Sequence, residues 1–234
     1  MPFQLFGTAH LLALSVIAAL VLGLPLLLRR RAPGMVTPVA WLLGALLLAQ
    51  EAAQAAWLWR SLGPGLYLVP LDLCTLSVFL TAWVLIARSP RIYEIVYFWG
   101  LGGTTQALIT PELSQGFPSA AFIFFFAGHG LVVIGVVYAT LALRLRPYPR
   151  SILRVAAITL ALAAAVFLLN LVLGTNFMYL MAKPMQPSLL DWFGPWPWYL
   201  VGLFATALLT FAVLYLPWLV VDCRRSHRTP LSET

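Results

Sequence analysis

Residues 8–31 read TAHLLALSVIAALVLGLPLLLRRR, an apolar run from Thr8 to Leu28 closed by Arg29, Arg30 and Arg31. A helix rising about 1.5 Å per residue needs roughly 20 apolar residues to cross a hydrocarbon core about 30 Å thick, and this run is long enough. A secretory signal would carry its basic residues ahead of a shorter apolar run. Here the arginines follow, so the segment is expected to be a retained transmembrane helix with its N-terminus outside.

The same pattern recurs along the chain. Further apolar stretches lie at about Val36–Trp59, Tyr67–Ala87, Ile92–Thr110, Pro118–Leu143, Ile152–Leu173 and Trp198–Val221. With 62% hydrophobic residues, 9% charged residues and a mean hydropathy of +0.94, the 234-residue chain has too little polar surface to coat a soluble globule. Period-two alternation is absent, which excludes a barrel, and lipid offers backbone groups no water. The expected fold is therefore an all-α membrane protein: one polytopic domain spanning residues 1–234, a seven-transmembrane-helix bundle in the cell membrane.

Charge sets its orientation. Arg29, Arg30, Arg31, Arg88, Arg91, Arg144, Arg146, Arg150, Arg154, Arg224, Arg225 and Arg228 all fall at one end of the spans, and only Arg60 and Lys183 at the other. By the positive-inside rule the arginine end is cytoplasmic, and so is the C-terminus. The net charge of +7 is thus a topology signal rather than a nucleic-acid footprint. The longest segment outside a span, 174–197, carries Phe177, Tyr179, Trp192, Phe193 and Trp196 with Pro184, Pro187, Pro195 and Pro197. Aromatic residues favour the headgroup level, so this segment is expected to form an outer interfacial cap.

Polar groups inside the spans concentrate in the outer half. Gln50, Glu51 and Gln54 lie near the outer end of the second span; Asp72, Cys74, Thr75 and Ser77 near that of the third; Thr104, Thr105 and Gln106 on the fourth; His129, between Gly128 and Gly130, on the fifth; His10 and Asn170 close the set, with Asn176 in the cap. The inner halves are expected to hold almost nothing comparable. Such groups in hydrocarbon need a partner or a wet cavity, so a polar cavity open to the outer side is expected. Each also has a structural reading. The hydroxyls, Thr81 included, can bond back to their own helix, Asn170 and Gln106 can join helices, and Asp72, following Pro70, can cap a helix start. Glu51 requires protonation, a wet cavity, or a partner such as His10 or His129.

Cys74 and His129 together could carry covalent chemistry. A thiol needs a base to become the thiolate that attacks a carbonyl and forms a thioester. A buried cysteine and a lone histidine are equally compatible with plain packing. Cys74 and Cys223 sit at opposite ends of their spans and cannot form a disulfide. No cofactor or metal is expected: the last span has no lysine for a retinal Schiff base, and no compact C-x-x-C or H-x-x-x-H spacing occurs.

Motifs run the length of the chain: Phe6-Gly7-Thr8-Ala9-His10, Gln50-Glu51, Val69-Pro70-Leu71-Asp72-Leu73-Cys74, Leu108-Ile109-Thr110-Pro111, Gly128-His129-Gly130, Gly174-Thr175-Asn176-Phe177-Met178-Tyr179-Leu180 and Gly194-Pro195-Trp196-Pro197. In order and spacing the chain resembles the YwaF-like bacterial integral membrane proteins, relatives of the eukaryotic transmembrane protein 164, an acyltransferase making ether-linked phospholipids. The resemblance implies a catalytic cysteine and histidine at Cys74 and His129, with Cys74 taking an acyl chain from a phospholipid and passing it to a lysophospholipid or to water. One position departs: the bacterial family often has histidine where this chain has Asp72. Two residues apart on a helix is about 200°, so Asp72 is expected to face away from Cys74 unless Pro70 distorts the helix start. The rival reading is non-enzymatic, a small-solute or proton-coupled transporter or receptor-like bundle centred on Glu51 and His129.

Overall fold

In the computed structural model, residues 1–184 and 189–226 are described, the side chains of 189, 225 and 226 excepted. Pro187, Arg228 and the Arg225 side chain lie outside that description. Six helices are long and apolar enough to cross a membrane. They are α1 (Thr8–Arg31), α2 (Val36–Leu62), α3 (Leu73–Ala87, extended by a 3-10 turn at Leu66–Leu68), α6 (Ala120–Leu141), α7 (Pro149–Leu173) and α8 (Trp198–Ser226). A seventh pass is assembled from α4 (Pro90–Phe98), a π-helical turn (Trp99–Thr104) and α5 (Thr105–Ile109), which together rise about 30 Å.

Short connections make successive passes antiparallel, and contacts far apart in sequence sort the helix ends onto two faces. On the arginine face Arg29 donates to the Leu141 carbonyl, Arg88 to Thr37, and Tyr138 to the Val36 carbonyl. On the opposite, cap face, the Phe3 amide bonds Ser114 O, the Gly116 amide bonds Met1 O, and Trp57 packs on Phe124.

The third helix begins six residues later than its apolar run. Pro70 and the extended Asp72 (φ −97°, ψ 155°) break the stretch, and the Asp72 carboxylate caps α3. At the other boundary shift, Ser119 caps α6 with its hydroxyl on the Phe122 amide.

The outer surface of the bundle is hydrocarbon. Leu12, Val16 and Leu22 on α1, Leu153, Leu168 and Val172 on α7, and Val201, Leu209 and Val213 on α8 are all exposed. An apolar surface of this extent is compatible with a lipid environment and not with water. The interior is organised around α6, which packs on α1, α2, α3 and the π turn. Glycines on α6 permit this crowding: a Cβ at Gly128 would stand 3.0 Å from the Gln50 amide of α2, at Gly130 2.8 Å from Ile17 of α1, and at Gly135 2.8 Å from Thr81 of α3.

The arginine half is more polar than its sequence suggests. Buried Glu94 pairs with Arg154 at 2.5 Å, and Asp222 accepts from Arg146 at 2.6 Å and from the Tyr215 hydroxyl at 2.7 Å. Tyr93 bonds Thr140, Trp99 donates to Thr159, and Trp218 donates to Tyr97. The expectation of an empty inner half is therefore corrected. Glu94 and Asp222 are carried on spans whose apolar average hides them, and arginines from α7 and the loop before it neutralise them.

Candidate functional site

Asp72 organises the cap-face end of α3. Its Oδ1 accepts from the Cys74 and Thr75 amides at 3.0 Å each, and its Oδ2 accepts from the Thr75 hydroxyl at 2.8 Å. Asp72 lies just before the helix, so the exception made for a start broken at Pro70 applies and the 200° argument does not. Its carboxylate tucks under the first turn, against the Cys74 and Thr75 amides, as the capping reading expects. The same charge lies within electrostatic reach of Glu51, His129 and Tyr179. Half-buried Cys74 occupies the second position of α3.

The helix contacts set the depth of Cys74 and His129. Thr81 packs on Gly135, and α3 and α6 run in the same direction. Cys74 lies two turns before Thr81 on the same face, about 10 Å toward the cap, and His129 lies about 9 Å before Gly135. The thiol and the imidazole are thus level within about 2 Å along the bundle. Val132 and Val136, which share the His129 stripe of α6 at helical spacings, pack on Gly100 of the π turn. The π turn also packs on α3. Cys74 and His129 accordingly border one junction, where α3, α6 and the π turn meet, and they are not hydrogen-bonded to each other.

The His129 ring is fixed from one side only. Its Nδ1 lies 2.9 Å from the Phe125 carbonyl, which can only accept, so Nδ1 carries the proton. The ring stacks on Phe125 with centroids 4.1 Å apart. Nε2 has no hydrogen-bond partner among the described residues, and in the neutral ring it presents its lone pair, the tautomer a general base requires.

The other sequence candidates divide. Gln50 stays with the site: it packs on Gly128 and donates to Gln54 Oε1 and to the Phe124 carbonyl, while its own Oε1 is buried without a partner. Glu51 makes no hydrogen bond or ion pair with His10, His129 or any other described residue. His10 lines the smaller of two recesses on the cap face, away from Cys74 and His129. Its Nδ1 accepts from the Phe6 amide at 3.0 Å, its Nε2 donates to Leu108 O at 2.9 Å, and its ring is enclosed by Phe3, Phe6 and Phe126. Gln106 is exposed on α5. Asn170 is buried but spent on the cap, binding Thr175 and both backbone groups of Phe177, and Asn176 bonds residues 181 and 182. Recesses of about 570 and 220 Å³ open on the cap face among the N-terminal residues and the α5–α6 loop. Their lining includes neither Cys74 nor His129, so size alone does not locate the chemistry.

Two residues were not singled out as site candidates. Met178 and Tyr179 both adopt left-handed backbone, at φ 59° and 53°, a conformation costing non-glycine residues about 1–3 kcal/mol. Asn170, Asn176 and the Tyr199 hydroxyl, which bonds Tyr179 O at 2.6 Å, over-determine it. The result is that Tyr179 turns its hydroxyl onto Glu112 at 2.5 Å, joining the cap to the α5–α6 loop within electrostatic reach of Asp72 and Cys74. Burial, followed by the Glu112 hydrogen bond and charge, pushes this phenol above the usual tyrosine range. The GTNFMYL run was the available signal for Tyr179. Glu112, 67 residues earlier, had none.

A sequence model of the TMEM164 family matches residues 5–215. A protein of Treponema pallidum (strain Nichols), named only "Uncharacterized protein", is 30% identical over 151 residues, which is 64% of this chain and 62% of that relative. The chain therefore spans less than two thirds of the relative's length. No solved structure matches.

Proposed function

Because the chain belongs to the TMEM164 family, we propose that it is a membrane-embedded, cysteine-dependent acyltransferase, or acyl hydrolase, that acts on phospholipid acyl chains through a thioester at Cys74. The observation that carries this reading is the His129 tautomer: a neutral imidazole held at Nδ1 by Phe125 O, with Nε2 open at the depth of the thiol. Nε2 takes the Cys74 proton, and Sγ adds to the ester carbonyl of a phospholipid bound from the lipid phase. The carbon–sulfur bond forms, the carbon–oxygen bond to glycerol breaks, and the leaving alkoxide takes the proton from His129. A lysophospholipid hydroxyl or water then attacks the thioester, with His129 accepting its proton and returning it to the departing sulfur. The arginine face is cytoplasmic in this reading, with the N-terminus and the cap on the outer side.

The rival, solute or proton transport centred on Glu51 and His129, is favoured by one observation: the Glu51 carboxyl lies within a membrane pass and has no hydrogen-bond or ion-pair partner among the described residues. Intact-protein mass after incubation with mixed phospholipids separates the two. An adduct of acyl mass that hydroxylamine removes, and that Cys74→Ala and His129→Ala lack, is the expected result. Folded wild-type protein that acquires no adduct would sink the enzymatic reading and leave transport.

A further inference from the structure

Hydroxyls buried in helices normally return a hydrogen bond to the carbonyl four residues back. Ser77, Thr140, Thr159, Thr206 and Thr210 do so here, at 2.7 to 2.9 Å. Thr104 does not. It is 1% exposed, and its Oγ1 has no partner. Thr104 closes the π turn, where the ladder shifts from four residues to five, and Thr81 on regular α3 is the other buried hydroxyl without a partner.

Its position ties this orphan to the site. Gly100 packs between Val132 and Val136 of α6. Four residues is close to one π turn, so Thr104 lies on the same side of its helix as Gly100, one turn nearer the cap. On antiparallel α6, the next residue of that stripe toward the cap is His129. A buried hydroxyl and an imidazole nitrogen, neither with a hydrogen-bond partner among the described residues, thus stand near one depth, close to that of Cys74. Three donors on α2 and the start of α3 are committed. Asp72 takes the Cys74 and Thr75 amides, and the Gln50 amide serves Gln54 and Phe124.

We propose that Thr104 is a further catalytic residue, whose hydroxyl donates to the carbonyl oxygen of the phospholipid ester as Cys74 adds to it. This rests on the acyl-transfer reading above. As the carbon–sulfur bond forms, the carbonyl π pair moves onto oxygen, and the Thr104 O–H stabilises that charge without giving up its proton. On collapse the pair returns, and the glycerol oxygen leaves with the proton held by His129.

The test is the single-turnover rate of the hydroxylamine-labile adduct, measured by intact mass on full-length protein in detergent with a phosphatidylcholine donor. Losing one oxyanion donor typically slows acylation about 100- to 1000-fold. Thr104→Val is expected to show that loss, Thr104→Ser to acylate near the wild-type rate, and Thr81→Val, which removes a second unpartnered hydroxyl two turns from Cys74, to leave the rate unchanged. Thr104→Val should melt no lower than wild type, because it deletes a buried polar group that has no partner. Wild-type acylation in Thr104→Val, equal slowing in Thr104→Ser, or failure of Thr104→Val to fold would each overturn the proposal while leaving Cys74 in place. Absence of an adduct in wild type would instead remove the acyl-transfer reading and this one with it.

Discussion

Gly135→Ala tests the contact that sets Cys74 and His129 at one depth. The new Cβ would lie 2.8 Å from Thr81 Cγ2 and 3.1 Å from Leu85 Cδ1. Carbon atoms rest about 3.5–4.0 Å apart, so α3 and α6 must separate by several tenths of an ångström or Thr81 must move. Thr81 is β-branched and stiff at χ1 within a helix, so it does not move cheaply. Overpacking of this kind costs about 1–3 kcal/mol, and replacing a helical glycine by alanine returns about 1 kcal/mol. The expected net loss is about 0–2 kcal/mol, a fall of up to a few degrees in melting temperature for a chain of this size. Thr81→Ser deletes the contacted methyl, so the double variant should regain most of the loss although Thr81→Ser alone is mildly destabilising. Thermal unfolding in dodecylmaltoside for the four proteins of this cycle supplies the coupling energy, expected to be about 1 kcal/mol or more in favour of the pair. Two effects that simply add would refute the register of α3 on α6 and with it the shared depth of the thiol and the imidazole.

At the arginine face, Glu94 is 7% exposed and its partner Arg154 50%. Arg154→Met should cost about 2–3 kcal/mol, below the range of about 3–5 for a fully buried pair because Arg154 is half solvated, and adding Glu94→Leu should restore stability; the same unfolding assay checks both. Tyr179 gives a pH dependence. Its folded pKa is raised, so the folded state holds this proton more tightly than the unfolded state does. The resulting stability is complete below the ordinary tyrosine pKa of about 10 and is lost as pH climbs from there through the folded value. Melting temperatures from pH 8 upward should fall less steeply in Tyr179→Phe than in wild type, and parallel curves would disprove the Glu112 linkage.

The spans were legible because the cost of placing polar groups in hydrocarbon is a property of each local stretch. Twenty apolar residues closed by arginine have few folds open to them, and the α1 and α2 starts agree with the apolar runs. The start of α3 was half legible: Pro70 and Asp72 announce a break, but the apolar average runs across it. The site was legible as a set of residue types and not as an arrangement. His10 and Asn170 have the same composition signal as His129, yet their polar atoms are consumed by Leu108, Phe6 and the cap backbone.

By itself the sequence determined an all-helical membrane protein with its basic residues at one face and its unusual polar residues on identifiable passes, since hydropathy, length and charge act through neighbours in the chain. Tertiary structure decided which of those residues meet. The Thr81–Gly135 contact levels Cys74 with His129, Thr104 is buried at the end of the π turn with its hydroxyl unpartnered, Tyr179 reaches Glu112 across 67 residues, and Arg154 neutralises Glu94 across 60. Each depends on how separate helices slide and rotate against one another, and that freedom is settled by side-chain packing between passes, which local propensity does not encode.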